Sequence, residues 1–117
     1  YLGKIFEQVC KQFLNSVKSY PKIGRWWYKE DEIDIVALNE KKNKILFGEC
    51  KWSKNNVTFT LLNELKEKGE KVRWKNEKRE EEYALFSKSG FTEDLRQEAS
   101  ESKELRIYSL KDLEKAF

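Results

Sequence analysis

Histidine and methionine do not occur in this 117-residue chain, proline occurs once and cysteine twice. Without histidine no Ser-His or Cys-His pair can activate a nucleophile, and Cys10 and Cys50 alone cannot assemble a structural zinc site. Two cysteines are also too few for a disulfide framework, which fits a reducing cytoplasm. There is no run of about 18 apolar residues to span a membrane and no secretory leader pattern. Linker-like stretches of Gly, Ser or Pro are missing, as are internal repeats. A strong excess of one charge is lacking too: 24 Lys and Arg stand against 21 Asp and Glu, for a formal charge of +3. A balance this near neutral neither demands nor excludes nucleic acid, because the distribution of charge decides.

What is present argues for one folded domain over residues 1–117. Aromatics at 14% set the chain apart from disordered sequences of similar charge. The abundance of Lys and Glu leans toward a heat-tolerant source. Leu2, Ile5, Phe6, Val9, Cys10, Phe13, Leu14 and Val17 recur at helical spacing and define a first amphipathic helix. It ends in the break Ser19-Tyr20-Pro21-Lys22. Short runs rich in aromatic and β-branched residues follow: Arg25 to Tyr28, Ile33 to Leu38, and Ile45 to Trp52. A charged helix is expected from about Thr58 to Asn76, with Leu61, Leu62, Leu65 and Val72 on one side. A fourth strand runs from Tyr83 to Phe86, Thr92 can cap a short helix, and a fifth strand covers Leu105 to Tyr108. Ser109 and Asp112 resemble a capping box that opens a last helix. The order α-β-β-β-α-β-α-β-α predicts an α/β fold, a mixed sheet of about five strands flanked by helices.

The informative segment is the hairpin from Glu32 to Trp52. Side chains alternate along a strand, so Asp34, Val36 and Leu38 share one face of the second strand, and Phe47, Glu49 and Lys51 share one face of the third. A turn centred on Lys41-Lys42 pairs residues whose numbers sum to 83, which sets Asp34 opposite Glu49 with Cβ atoms about 5 Å apart. Two carboxylates facing each other on an otherwise apolar sheet repel, and desolvation adds to the cost. A divalent cation between them reverses the sign. Lys51 lies two residues beyond Glu49 on that face. Oxygen ligands for Mg²⁺ or Mn²⁺ beside an ammonium suit phosphodiester hydrolysis. The bland alternative is a solvated edge where both acids pair with lysines.

Glu-Ile-Asp-Ile-Val-Ala-Leu at 32–38 and Ile-Leu-Phe-Gly-Glu-Cys-Lys-Trp at 45–52 resemble the core of the PD-(D/E)XK nuclease superfamily, in the style of archaeal Holliday-junction resolvases and Mrr-type restriction enzymes. The resemblance implies a restriction-endonuclease-like fold, metal binding by Asp34 and Glu49, and a catalytic role for Lys51 at the attacking water. Gly3-Lys4-Ile5-Phe6-Glu7 is similar to the first helix of many of these proteins, which makes Glu7 a further candidate metal ligand; an exposed helix glutamate is the other reading. Ser87 to Thr92 resembles the Mrr style as well. Ile33 stands where the proline of the family name would precede Asp34. The chain further resembles the C-terminal domain of unknown function that follows an AAA-type ATPase module in many archaeal proteins. That resemblance implies a fragment of a larger ATPase, and the nuclease resemblance implies DNA as partner and a possible homodimer, as in many relatives. A catalytically silent domain that recognises DNA or protein for its ATPase is the alternative. The chain itself carries no phosphate-binding Gly-x-x-x-x-Gly-Lys-Ser/Thr loop.

Three other signals have two readings each. Trp26, Trp27, Tyr28, Trp52 and Trp74 can stack on bases, or sit in the core as strand aromatics usually do. The basic run from Lys66 to Arg79, interleaved with glutamates, is a solvated helix face or a phosphate-contacting one. Trp52, Ser53 and Lys54 leave the active strand and are the better-placed candidates to touch nucleic acid. Cys50, on the face opposite Glu49, is expected to pack as a small hydrophobe.

Overall fold

The computed structural model describes residues 1–17 and 20–116. The element order is α1 (Leu2–Val17), β1 (Lys22–Tyr28), β2 (Asp31–Asn39), β3 (Lys44–Lys51), α2 (Phe59–Glu70), β4 (Glu80–Ser87), α3 (Glu93–Glu101), β5 (Leu105–Ser109) and α4 (Leu110–Ala116). This is the expected order. Of the break around Pro21, Ser19 lies outside the described residues, as does the Val17 side chain at the end of the apolar stripe.

The five strands form one sheet in chain order. β1, β2 and β3 are an antiparallel meander, whereas β4 runs parallel to β3 and β5 parallel to β4. Helices cover both faces, so the central strands are apolar on both sides. Phe6, Cys10, Phe13 and Leu14 of α1 and Leu113 of α4 pack on Ile35, Ala37, Leu46, Ala84 and Phe86. Leu62 and Leu65 of α2 and Leu95 of α3 pack on Ile33, Ile45, Phe47, Tyr83 and Leu85.

The β2–β3 hairpin has a four-residue loop at 40–43, closed by the Asn43 amide donating to the Glu40 carbonyl and the Lys42 amide donating to the Asn39 side chain. Asn43 takes the left-handed conformation, φ 54°, that asparagine tolerates better than most residues. Leu38 pairs with Ile45, Val36 with Phe47 and Ile35 with Gly48, the sum-83 register.

The end of α2 and the cap of α3 differ from expectation. α2 stops at Glu70 rather than near Asn76, because the Lys71 and Val72 amides turn back to the carbonyls of Lys68 and Gly69. The Arg79 guanidinium then holds that end in place, donating to the carbonyls of Gly69, Val72 and Trp74. Thr92 occupies the N-cap of α3, but its hydroxyl donates to Asp94 and makes no cap hydrogen bond to the helix backbone. At α4 the box is reciprocal: the Ser109 amide donates to Asp112, and the Asp112 amide donates to the Ser109 hydroxyl.

Candidate active site

Pairing between β1 and β2 shifts by one residue between Gly24↔Val36 and Trp26↔Ile33, so Arg25 alone faces both Asp34 and Ile35. Such a bulge breaks the alternation of side chains. Ile33, Val36 and Leu38 pack on the α2 side, whereas Ile35 and Ala37 pack on the α1 side. Asp34 sits at the break itself and does not simply continue the Val36–Leu38 face. Phe47, Glu49 and Lys51 do point to the α2 side, as alternation along β3 requires.

The register and the bulge bring Asp34 and Glu49 into hydrogen-bonding contact. The Cys50 amide donates to Asp34 Oδ2 at 3.0 Å, which fixes the aspartate against the end of β3. Glu49 is 4% exposed. Burial, the hydrogen bond to Asp34 and the charge of Asp34 push its pKa up to about 8, against the opposing pull of Lys68. In the metal-free protein near neutral pH Glu49 therefore keeps its proton beside Asp34.

Cations surround the pair. Arg25 reaches Glu7 at 3.1 Å, Glu32 at 3.1 Å and Asp34 at 3.6 Å. Lys68 of α2 donates to Glu49 Oε1 at 3.0 Å and to the Glu32 carbonyl at 2.8 Å. Glu7 is buried at the α1 side, where it contacts Arg25 and, at 3.7 Å, Lys11. Arg25 thus lies between Glu7 and Asp34, and Glu7 orients the arginine. Among the described residues no three Asp, Glu, His or Cys side chains converge as a metal cluster. The acidic donors for a cation are two, Asp34 and Glu49. All their donor atoms are oxygens, and Mg²⁺ characteristically takes one or two carboxylates and completes its octahedron with water or phosphate. An all-oxygen donor set of this kind fits Mg²⁺ or Mn²⁺.

Lys51 is exposed and makes no side-chain hydrogen bond or ion pair among the described residues. It lines a shallow cavity of about 210 Å³ with Ser53, Asn55, Asn56, Thr60 and Glu64. Trp52 is half-buried: its ring meets Phe6 at 5.1 Å, and the Lys88 ammonium lies 4.6 Å from its centroid. The Ser53 carbonyl accepts the Ser89 hydroxyl, and Lys54 is exposed. Of the β1 aromatics Trp27 and Tyr28 are exposed and Trp26 packs against the α2-side core, as does Trp74 from the segment after α2. Cys50 packs on the α1 side, and its thiol is held protonated by a hydrogen bond with Cys10 and by burial.

Sequence reasoning missed Arg25 and Lys68. Lys68 was legible, since Leu61, Leu65, Lys68 and Val72 follow the spacing of one inward stripe, and a lysine on such a stripe needs a buried acid. Arg25 had no comparable signal, because the bulge that aims it at Asp34 depends on pairing between strands.

The family model for DUF234, archaea bacterial proteins of unknown function, matches residues 1–84, a span holding Glu7, Arg25, Asp34, Glu49, Lys51 and Lys68. The chain belongs to the DUF234 family. Uncharacterized protein MJECL04 of Methanocaldococcus jannaschii is 49% identical over 59 residues, covering 44% of this DUF234 chain and 13% of that protein. The crystal structure of AF1548, a protein of unknown function, matches with a TM-score of 0.61 at 14% identity, over 95% of this chain and 65% of that one. At that identity the likeness is one of fold. The DUF234 chain thus spans only a small part of MJECL04 and about two thirds of AF1548.

Proposed function

We propose that this DUF234 chain is a Mg²⁺- or Mn²⁺-dependent nuclease domain of the PD-(D/E)XK kind that hydrolyses DNA phosphodiesters on behalf of an ATPase module in the same protein. The observation that supports it is the contact of Asp34 with the buried Glu49, with Lys51, unpaired among the described residues, two positions on along the same strand face. A bound divalent ion supplies neutralisation of phosphoryl charge and a more acidic water. Asp34 and Glu49 hold it. The Cys50 amide and Arg25 keep Asp34 in place, so little reorganisation is needed at the moment of reaction. Lys51, without a partner among the described residues, orients the attacking water and offsets charge developing on the phosphate.

The test uses supercoiled plasmid and branched DNA with Mg²⁺ or Mn²⁺. Cleavage is expected in the parent and lost by at least about a hundredfold in Lys51→Ala and Asp34→Ala, in line with the loss of one transition-state contact. Cleavage surviving in both variants would refute the proposal. One observation favours a silent recognition domain instead. Arg25 and Lys68 already contact both carboxylates, so the network is charge-compensated without metal. DNA binding without cutting at any divalent ion is the outcome that selects this second reading.

A further inference from the structure

Lys68 holds a position that a simple helix-surface lysine does not. Its side chain is 25% exposed and that of its partner Glu49 is 5% exposed. It stands in the last turn of α2 between Leu65 and Gly69, both buried, and its ammonium reaches the sheet. The ammonium has two fixed acceptors, Glu49 Oε1 and the Glu32 carbonyl. We propose that Lys68 is the resident counter-cation of Glu49 and that a divalent ion enters the site by displacing its ammonium.

The inference rests on the metal reading above and adds a specific competitor to it. A protonated amine has no lone pair, so Lys68 cannot become a ligand. Its charge on Glu49 Oε1 opposes a divalent ion at the same carboxylate, because two like charges a few ångströms apart in a water-poor site repel strongly. Asp34 is different. Its tightest contact is the neutral Cys50 amide, and Arg25 stands off at 3.6 Å, so it can accept a cation and keep both neighbours. The cost of metal entry therefore falls on the Glu49–Lys68 pair. The ammonium makes the carboxylate pair tolerable in the metal-free protein and weakens its affinity for divalent ions.

The experiment is Mn²⁺ titration by calorimetry, with melting temperature as a second readout. Three proteins are compared: the parent, Lys68→Gln, and a Lys66→Gln control. Lys66 lies on the same helix, but its ammonium sits over the Tyr83 ring and away from both carboxylates. Lys68→Gln is expected to bind Mn²⁺ about tenfold more tightly, a change of about 1.4 kcal/mol. Lys66→Gln, with the same loss of charge, stays within about twofold of the parent. By the same cycle, Lys68→Gln lowers the melting temperature of the metal-free protein more than that of the Mn²⁺-loaded protein. Should the glutamine variant fail to fold, Lys68→Met, which keeps the apolar stem, gives the same tightening. Equal or weaker Mn²⁺ binding by the Lys68 variants overturns this inference and leaves the metal reading standing. No Mn²⁺ binding by any of the proteins overturns both.

Discussion

Replacing Glu49 by glutamine separates the acidic pair from everything else that titrates. In the folded, metal-free protein Glu49 keeps its proton up to about pH 8, whereas its ordinary value is 4.5. Between these limits the folded state binds the proton and the unfolded state has released it, so stability falls as pH rises. Below 4.5 both states hold the proton, above about 8 neither does, and the loss levels off. At roughly 1.4 kcal/mol per pH unit, the interval from 4.5 to about 8 integrates to about 5 kcal/mol. That is a large share of the ~5–15 kcal/mol that stabilises a typical domain. The assay is urea unfolding of parent and Glu49→Gln from pH 5 to pH 8.5 in the presence of a chelator. The difference between the two curves should climb in favour of the variant by about 3–4 kcal/mol across that range, with the glutamine amide standing in for the protonated acid. Saturating Mn²⁺ should abolish the parent's slope, and binding at pH 6.5 should release about one proton, seen as a buffer-dependent heat. Parallel stability curves for the two proteins would show that Glu49 ionises normally, and the account of the pair would fall.

Two further outcomes concern the frame around the site. Arg79→Met keeps an apolar stem against Phe47 but removes one donor from each of three carbonyls at the end of α2. The Gly69 and Val72 carbonyls keep the Val72 amide and the Asn76 side chain as donors. At about 1 kcal/mol for each lost hydrogen bond, roughly 3 kcal/mol of stability should disappear in urea unfolding, and a loss below about 0.5 kcal/mol would mean that water replaces the guanidinium. At Gly69, a Cβ would come to 3.0 Å from the fully buried ring of Phe47. Gly69→Ala should therefore destabilise by about 1–3 kcal/mol despite the helical preference for alanine; a rise in melting temperature would show that the ring can yield.

The fold was legible because its signals are periodic. The α1 stripe, the aromatic and β-branched runs and the Lys41-Lys42 turn determine the helix, the strands and the sum-83 register without reference to tertiary structure. The end of α2 was not legible, since what stops it is Arg79, nine residues on, and the same chain of Lys and Glu reads as continued helix up to Asn76. The site divides in the same way. Asp34 opposite Glu49 follows from the length of one hairpin loop. Arg25 and the position of Glu7 behind it follow from a bulge between β1 and β2 that no local pattern announces, which is why Glu7 was expected at the metal and stands behind an arginine instead.

That surplus residue in β2 also decides where the acidic group ends up. Were Ile35 removed from the strand, the ladder with β1 could run straight from Tyr28 to Lys22 while the hairpin loop stayed as it is. The aspartate, however, would be carried to another rung, out of reach of the Cys50 amide. A family member that retained every residue type but not this kink would keep the architecture and lose the cradle, so strand length here is as much a part of the chemistry as the side chains.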